Sequence, residues 1–267
     1  MRTNSTPTAL AIAGSDSGGG AGIQADLKAF ACTGVHGMTA ITAITAQNTV
    51  GVSTVEMISP ATIVAQVRAV AEDIGIGSVK IGMLGTEQTV DAVIEALGLL
   101  DEVPVVVDPV MVSESGAVLL DEAARTALVE RLLPLATVAT PNIPEARALT
   151  GASADASQED LAREVLALGP QAVVVTGGHS EHLVDLYYDG AEAVQIAGDQ
   201  HPDGAAHGSG CTHSSAVAGF LARGFSPLDA AHEARQVAAM AIARGRRDLG
   251  EGAGPVDVLG MAGTLPQ

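Results

Sequence analysis

The sequence predicts an α/β fold in which a mostly parallel central sheet lies between two layers of helices. Short apolar runs alternate with longer segments of helical spacing, and this alternation implies right-handed βαβ crossovers. Several runs, including Val105–Val107 and Val173–Val175, are apolar on both faces, as is typical of strands covered by helices on each side. No linker, repeat or low-complexity tract divides the chain, so we expect residues 1–267 to form one domain.

The predicted strands and helices alternate along the first two thirds of the chain. The strands are Ala9–Ala13, Met38–Ala46, Ser78–Ile81, Val103–Val107, Thr137–Ala139 and Ala172–Thr176. Helical spacing is found in Ile23–Cys32, Pro60–Ile74, Thr86–Leu99, Asp121–Leu133, Ile143–Thr150 and Gln158–Leu168. Ser59 suits a helix cap, because Pro60 after it is favoured in a first helical turn.

The pattern changes after Thr176. Leu183–Tyr188 and Ala193–Ile196 are predicted to pair as a hairpin around an Asp189-Gly190 turn. Two further helices are predicted, one that opens at Gly208–Gly210 and ends near Ala222, and one over Pro227–Arg244.

Composition and charge exclude a nucleic-acid partner. The formal net charge is −18, with 13 basic and 31 acidic residues, and the only lysines are Lys28 and Lys80. Nucleic-acid binding needs clustered Lys and Arg. The arginines that do cluster form one short patch of Arg244, Arg246 and Arg247.

The sequence also predicts a cytoplasmic protein with no membrane contact. The apolar run Ala9–Ala13 is too short for a signal sequence or a membrane span. Cys32 and Cys211 are the whole cysteine supply, and a chain of this size needs no disulfide. Residues 1–7 are expected to fray.

A glycine-rich loop follows the first predicted strand and precedes the first predicted helix. Its sequence is Gly14-Ser15-Asp16-Ser17-Gly18-Gly19-Gly20-Ala21-Gly22, and such a loop lets backbone approach a ligand closely. It is not a Walker A motif, because no Gly-Lys-Ser/Thr closes it. A plain turn is the alternative, but Asp26 lies one turn into the helix on the side facing the loop, which favours a ligand site.

A second glycine-rich segment runs from Asp203 to Thr212. Gly208–Gly210 would present backbone amides at a helix N-terminus, which with the helix dipole form an anion site without any lysine. Cys211 falls in the first turn, where the dipole is expected to lower the pKa of its thiol. The alternative is an inert, buried cysteine in a helix that begins with glycines.

Polar side chains follow two neighbouring predicted strands. Asp108 follows the Val103–Val107 strand, and Asn142 and Glu145 follow the next. Ligands bind beyond the carboxyl ends of such strands, so we expect these groups to converge. Hard oxygen ligands beside an anion site suit Mg²⁺ held with a polyphosphate. A capping box explains Asn142 and Glu145 equally well, but it does not explain Asp108.

The histidines give a weaker signal. His179 and His207 flank glycine turns and are candidates to touch a ligand. The remaining ones are expected in loops or at the surface, namely His36, His182, His201, His213 and His232. Their spacing is not that of a zinc site.

These segments resemble the hydroxymethylpyrimidine/phosphomethylpyrimidine kinases, which are ribokinase-like kinases. The resemblance rests on six segments in the same order, Ala13–Lys28, Ala46–Thr49, Lys80–Leu84, Asp108–Met111, Thr140–Glu145 and His207–Thr212. It implies a ribokinase-like three-layer α/β/α sandwich, a homodimer, and two successive ATP-dependent phosphorylations that make the pyrimidine half of thiamine.

The resemblance implies a role for each cluster. The pyrimidine pocket would comprise Gly14, Asp26, Thr45, Gln47, Met83 and Val110, with Asp26 and Gln47 hydrogen-bonded to the aminopyrimidine edge. The ATP side would comprise Asp108, Asn142, Glu145, Thr176 and Gly178, with Mg²⁺ at Asp108 and Glu145. The catalytic anion hole would comprise Gly208, Ser209, Gly210 and Cys211. Many relatives carry Lys where Thr176 stands and Thr where Ser209 stands.

Cys211 takes the position at which sugar kinases of this superfamily carry an Asp base. Phosphoryl transfer depends mostly on positioning and charge neutralisation, yet a thiolate could accept the proton of the hydroxymethyl group. We therefore expect Cys211 to matter more for the first phosphorylation than for the second. The segment Val112–Leu120 could form a mobile flap over the substrate.

The nearest alternative is a pyridoxal kinase, because pyridoxine and hydroxymethylpyrimidine are both flat heteroaromatics with a CH₂OH group. Gln47 and Met83 favour the pyrimidine through the resemblance. A non-catalytic ligand-binding protein of this fold would be expected to lose the anion hole or Asp108, and a dehydrogenase would carry a dinucleotide fingerprint. Because few protein cations would face the triphosphate, ATP binding is expected to need Mg²⁺.

Overall fold

The computed structural model describes residues 6–177, 184–199, 201 and 204–261. Its strands are β1 Thr8–Asp16, β2 His36–Gln47, β3 Val52–Met57, β4 Val79–Ile81, β5 Val105–Val107, β6 Val138–Ala139, β7 Ala172–Val175, β8 Asp185–Tyr188 and β9 Ala193–Ile196. Its α-helices are α1 Gly22–Cys32, α2 Pro60–Asp73, α3 Glu87–Leu97, α4 Glu122–Ala127, α5 Ile143–Thr150, α6 Gln158–Ala167, α7 Ser209–Ala222 and α8 Pro227–Ala243.

The strands form one sheet in the order β3-β2-β1-β4-β5-β6-β7-β8-β9. From β2 to β7 in this order, each strand is parallel to the next. Antiparallel pairs close the two ends, β3 on β2 at one and the β8–β9 hairpin at the other. The predicted α/β class and mostly parallel sheet are therefore confirmed. The strand order reverses between β1 and β4, which is where ligands bind in open sheets of this kind.

Helices cover both faces of the sheet. Along β5, Val105 and Val107 pack into a core with α2 to α6, whereas Val106 packs into a second core with α1, α7 and α8. Val173 and Val174 in β7 divide between the two cores in the same way. Runs that are apolar on both faces thus belong to strands buried on both faces, as the sequence predicted.

Three details differ from the sequence prediction. The edge strand β3 was missed, because four successive side chains in it are exposed and no apolar run marks it. The first two strands extend beyond the predicted Ala9–Ala13 and Met38–Ala46. The predicted helix Asp121–Leu133 is α-helical only to Ala127, after which a wider π turn and a 3₁₀ turn lead past Pro134.

Several predictions fall outside the described residues. They concern residues 1–5 of the segment predicted to fray, Leu183 of the predicted hairpin, and Gly178, His179, His182 and Asp203 of the candidate sites. Within the described ranges, no helix combines the length and the apolar character that a membrane crossing requires.

Candidate active site

A cavity of about 200 Å³ lies at the carboxyl ends of the parallel strands. It is bounded by the residues that follow β1, β5, β6 and β7 and by the start of α7. The cavity brings together most of the predicted site residues, namely Gly14, Thr45, Gln47, Met83, Asp108, Val110, Asn142, Glu145, Thr176, Gly208, Ser209, Gly210 and Cys211. Asp26 does not line it, and Gly178 lies outside the described residues.

The first glycine loop is organised by Asp16. Its carboxylate accepts hydrogen bonds from the backbone N–H groups of Gly18 at 2.7 Å, Gly20 at 3.0 Å and Ala21 at 2.9 Å. Burial opposes its charge, yet these bonds and a contact with His207 Nε2 at 3.2 Å hold the pKa of Asp16 below its ordinary value. Asp16 was not among the predicted site residues, although an aspartate before consecutive glycines is a turn signal.

Lysine also contributes to the loop. Lys28 Nζ in α1 donates a hydrogen bond to the Gly19 carbonyl at 2.7 Å. The ammonium group therefore fixes the loop from the side of the helix that follows it.

The two glycine-rich segments are in direct contact. Gly208 is the N-cap residue of α7 and has φ +85°, a left-handed conformation that favours glycine. A Cβ atom at Gly208 would lie 1.8 Å from the carbonyl oxygen of Gly20, and one at Gly20 would lie 2.2 Å from the His207 ring. The two loops can pack this closely because neither glycine has a side chain.

The predicted anion hole needs one correction. The N–H of Ser209 donates to the Ala206 carbonyl at 3.0 Å, so this amide is not available to a ligand. The N–H groups of Gly210 and Cys211 donate to no backbone carbonyl in the described part of the chain. These two amides, at the positive end of the α7 dipole, are the ones that can bind an anion.

The predicted lowering of the Cys211 thiol pKa is wrong. Burial raises the pKa of Cys211 to about 12, and the charges of Asp108 and Asp26 raise it further, whereas Lys80 and the Gly22 N–H oppose this only in part. Desolvation and nearby carboxylates therefore outweigh the helix dipole. The thiol is protonated at neutral pH.

A buried charge cluster lies beside Cys211. Lys80 Nζ in β4 is 2.8 Å from Asp26 Oδ1 and 3.8 Å from Asp108 Oδ2, and Lys80 and Asp26 are fully buried. Burial alone would lower the pKa of Lys80, but the surrounding negative charges raise it above its ordinary value. Consecutive residues of α7 complete the cluster, since Ser214 Oγ contacts Asp108 at 2.8 Å and Ser215 Oγ contacts Asp26 at 2.7 Å.

This cluster changes two sequence predictions. Asp26 faces Lys80 and Ser215 instead of the cavity, so the direct hydrogen bond predicted from it to a pyrimidine does not fit its position. The expectation of an anion site without lysine is also wrong, because Lys80 lines the cavity. Lys80 begins one of the segments that resemble the kinase family, but nothing in its apolar strand indicates its charged partners.

Asn142 and Glu145 combine two roles that the sequence analysis had treated as alternatives. They form a complete capping box at the start of α5, with Asn142 Oδ1 accepting from Glu145 N–H at 2.8 Å and Glu145 Oε2 accepting from Asn142 N–H at 2.9 Å. Both nevertheless line the cavity. Burial, and then the charge of Asp108, raise the pKa of Glu145 to about 8.

The raised pKa of Glu145 predicts a pH-dependent stability. The unfolded chain releases this proton near the ordinary value of 4.5, whereas the folded protein keeps it to about pH 8. The folded state binds more protons in this window, so the free energy of unfolding should fall as pH rises from about 5 to about 8. Thermal unfolding in metal-free buffer should show a flatter pH dependence for Glu145→Gln than for the wild type. The exposed Glu130→Gln is the control, and parallel curves for all three proteins would contradict the prediction.

The far end of the cavity holds polar groups that the sequence analysis missed. Asp185 at the start of β8 accepts a hydrogen bond from Gly177 N–H at 2.9 Å, and Arg235 Nη1 in α8 lies 3.7 Å from the same carboxylate oxygen. His213 lines this end with them and is buried, so its predicted surface position is wrong. The apolar side chains of Ala238 and Ile242 complete the wall.

The predicted flap is a small hairpin at the cavity rim. Val112 and Val118 form an isolated bridge, and Ser113 N–H donates to the Ala117 carbonyl at 2.8 Å. Val112 and Ser113 line the cavity, whereas the Val118 side chain is 76% exposed. The hairpin is placed to cover a ligand, and its mobility stays a prediction.

Comparisons with known proteins show what the chain is similar to. The sequence model of the family described as phosphomethylpyrimidine kinase matches residues 16–257. The chain is 45% identical over 257 residues to the hydroxymethylpyrimidine/phosphomethylpyrimidine kinase of Rhizobium meliloti, covering 94% of this chain and 96% of that one. It is 44% identical over 252 residues to the thiamine biosynthesis bifunctional protein ThiED of Geobacter sulfurreducens, covering 93% of this chain and 51% of that one.

A solved structure with a different substrate is also similar. The pyridoxal kinase from Staphylococcus aureus, in complex with AMP-PCP and pyridoxal, superposes with a TM-score of 0.87 at 35% identity. The match covers 97% of this chain and 96% of the other.

Proposed function

Because the chain belongs to the phosphomethylpyrimidine kinase family, we propose that it phosphorylates 4-amino-5-hydroxymethyl-2-methylpyrimidine with ATP and then converts the monophosphate to the diphosphate. These two reactions supply the pyrimidine half of thiamine. One observation carries the proposal, namely that a single cavity joins an amide-bearing apolar pocket to the free amides at the start of α7. The cavity thus offers a place for a flat heteroaromatic alcohol next to a place for the transferred phosphate.

Gln47, Met83 and Val110 form the pocket for the pyrimidine. Thr45 Oγ1 lies 3.1 Å from Gln47 Oε1 and donates to it or to the Ser15 carbonyl at 2.9 Å. This contact fixes the Gln47 amide so that its NH₂ group is left to donate to a ring nitrogen. Met83 and Val110 supply the apolar walls.

The start of α7 binds the phosphate that is transferred. The N–H groups of Gly210 and Cys211 hold its oxygens, and Lys80 adds a positive charge from β4. Such fixed donors stabilise the charge of the transition state without reorganising. Cys211 lies beside them as a neutral thiol that orients the attacking hydroxymethyl group.

Asp108 and Glu145 fit a magnesium site. Both supply hard oxygen atoms. Burial and then the charge of Asp108 raise the pKa of Glu145, and a bound cation would favour its ionised form. The described residues contain no cluster of three or more metal-ligating side chains, so phosphate oxygens and water would complete the coordination. A bound Mg²⁺ would neutralise part of the triphosphate charge.

A homodimer and a cytoplasmic location remain predictions.

Product analysis tests the proposed function. Incubation with Mg-ATP and hydroxymethylpyrimidine should give the monophosphate and then the diphosphate, resolved by mass. Absence of both phosphorylated products would reject the proposal.

ATP affinity should fall by at least about tenfold when Mg²⁺ is removed, because no bound cation then offsets the repulsion between the triphosphate and the Asp108 carboxylate.

Pyridoxal kinase activity is the second candidate, favoured by the similarity to the Staphylococcus aureus enzyme. The higher identity to pyrimidine kinases supports the pyrimidine as the main substrate. A comparison of kcat/KM for the two alcohols discriminates between them. A larger value for pyridoxal would reverse the assignment.

We expect Cys211→Ala to damage the first phosphorylation more than the second. The first nucleophile is a neutral alcohol that depends on the Cys211 thiol for its orientation, whereas the second is a charged phosphate oxygen that the amides at the start of α7 can also position. The variant should lose about 100-fold or more in kcat for the alcohol and less than about tenfold for the monophosphate. Cys32→Ala, which changes the exposed cysteine at the end of α1, is the control. Equal losses in the two steps, measured separately, would contradict this role.

A further inference from the structure

His213 is a buried polar side chain to which neither the reaction nor the fold yet gives a role. It lies in the second turn of α7, lines the cavity with Thr176 and Arg235, and its side chain is 5% exposed. Neither ring nitrogen has a hydrogen-bond partner among the described residues. A buried N–H without a hydrogen-bond partner destabilises a protein. Such a group is therefore a candidate to hydrogen-bond a ligand.

The described protein groups around His213 form no hydrogen bond with its ring nitrogens. The carboxylate of Asp185 in β8 faces the ring, but its Oδ2 lies 3.7 Å from Nε2, beyond hydrogen-bond distance. Burial lowers the pKa of His213, as does the charge of Arg235 from α8, while Asp185 and the more distant Asp108 oppose this. The ring is therefore neutral, with one nitrogen that can donate and one that can accept.

The position of His213 on α7 indicates which ligand group it meets. His213 follows Gly210 by three residues, so the two lie on the same face of the helix. Side chains of an α-helix lean toward its N-terminus, which brings the imidazole toward the free amides of Gly210 and Cys211. A phosphate chain held by those amides would present strong acceptor oxygens to the ring.

We propose that His213 binds the phosphate chain of the nucleotide by donating a hydrogen bond from a ring nitrogen to a phosphate oxygen. This inference rests on the proposed function and adds His213, a buried residue of α7, to the groups that position ATP. His213 lines the same cavity as Gly210 and Cys211, so a ligand bound at the two amides can extend to the ring.

Direct binding measurements on three variants and the wild type test the proposal. His213→Phe keeps a ring but removes both nitrogens, and we expect it to weaken ADP and ATP binding about tenfold while adenosine binding is unchanged. His213→Gln keeps an amide donor and should recover most of the affinity. His232→Gln, at the exposed histidine of α8, should bind all three ligands like the wild type.

Three outcomes would overturn the proposal. They are unchanged ADP and ATP affinity in His213→Phe, an equal loss for adenosine and ATP, and no recovery in His213→Gln. If the phenylalanine variant fails to fold, the ¹⁵N resonances of the His213 ring in the wild type give the same test, because they should move with ADP and not with adenosine. Absence of any phosphorylated product from the wild type would instead reject the proposed function.

Discussion

Gly208→Ala is expected to reduce kcat/KM by at least about 100-fold. The new Cβ would lie 1.8 Å from the Gly20 carbonyl oxygen, so the two loops must separate. At φ +85°, the alanine would also carry a backbone strain of about 1 kcal/mol, which it could relieve only by changing its backbone conformation. Separation of the loops and a change of this conformation would each displace the amides that follow at the start of α7. Steady-state kinetics with both substrates would measure the loss.

Gly224→Ala is the matched control for Gly208→Ala. Gly224 follows the same helix at its other end with φ +87°, and a Cβ there would meet nothing within 4 Å. It carries the backbone strain without the collision, so it should cost about 1 kcal/mol of stability and leave kcat unchanged. Similar kinetic losses in both variants would mean that strain alone, and not contact between the loops, explains the effect.

Lys80→Met should destabilise the protein by about 3–5 kcal/mol and abolish most activity. The substitution leaves Asp26 fully buried beside Asp108 with no cation between them. It also removes a positive charge from the cavity wall. Chemical denaturation measures the first effect, and kcat at a temperature where the variant is folded measures the second.

Two variants separate the structural role of Lys80 from its catalytic one. Adding Asp26→Asn to Lys80→Met removes the uncompensated charge and should restore part of the stability but not the activity. Lys28→Met, at the other lysine, should cost less than about 1.5 kcal/mol, because only one hydrogen bond to Gly19 is lost. Full activity in the folded double variant would show that Lys80 does not act on the phosphate.

Local patterns in the sequence were sufficient to predict the sheet, the glycine loops and the strand ends that meet at the cavity. These features depend on neighbours in the chain, such as the apolar runs of β5 and β7 and the capping box of Asn142 with Glu145. The edge strand β3 was missed for the same reason, because its exposed side chains leave no apolar pattern to detect.

Burial and charge pairing could not be predicted in this way. The Lys80–Asp26 pair joins residues 54 positions apart, and no local signal connects them. The thiol of Cys211 is governed by such distant charges and by desolvation, which together exceed the effect of its own helix. His213 stands in a polar run that resembles a surface, but Thr212, Ser214 and Ser215 around it are all buried.

The placement of both lysines makes amine labelling a probe of the active site. The chain has two lysines, Lys28 and Lys80, and the second is fully buried. An acylating reagent that reacts with lysine amines should therefore modify Lys28 in the folded protein and leave Lys80 unmodified until unfolding. Because Lys28 is hydrogen-bonded to the glycine loop, its labelling rate would report how tightly that loop is held, with no engineered tag.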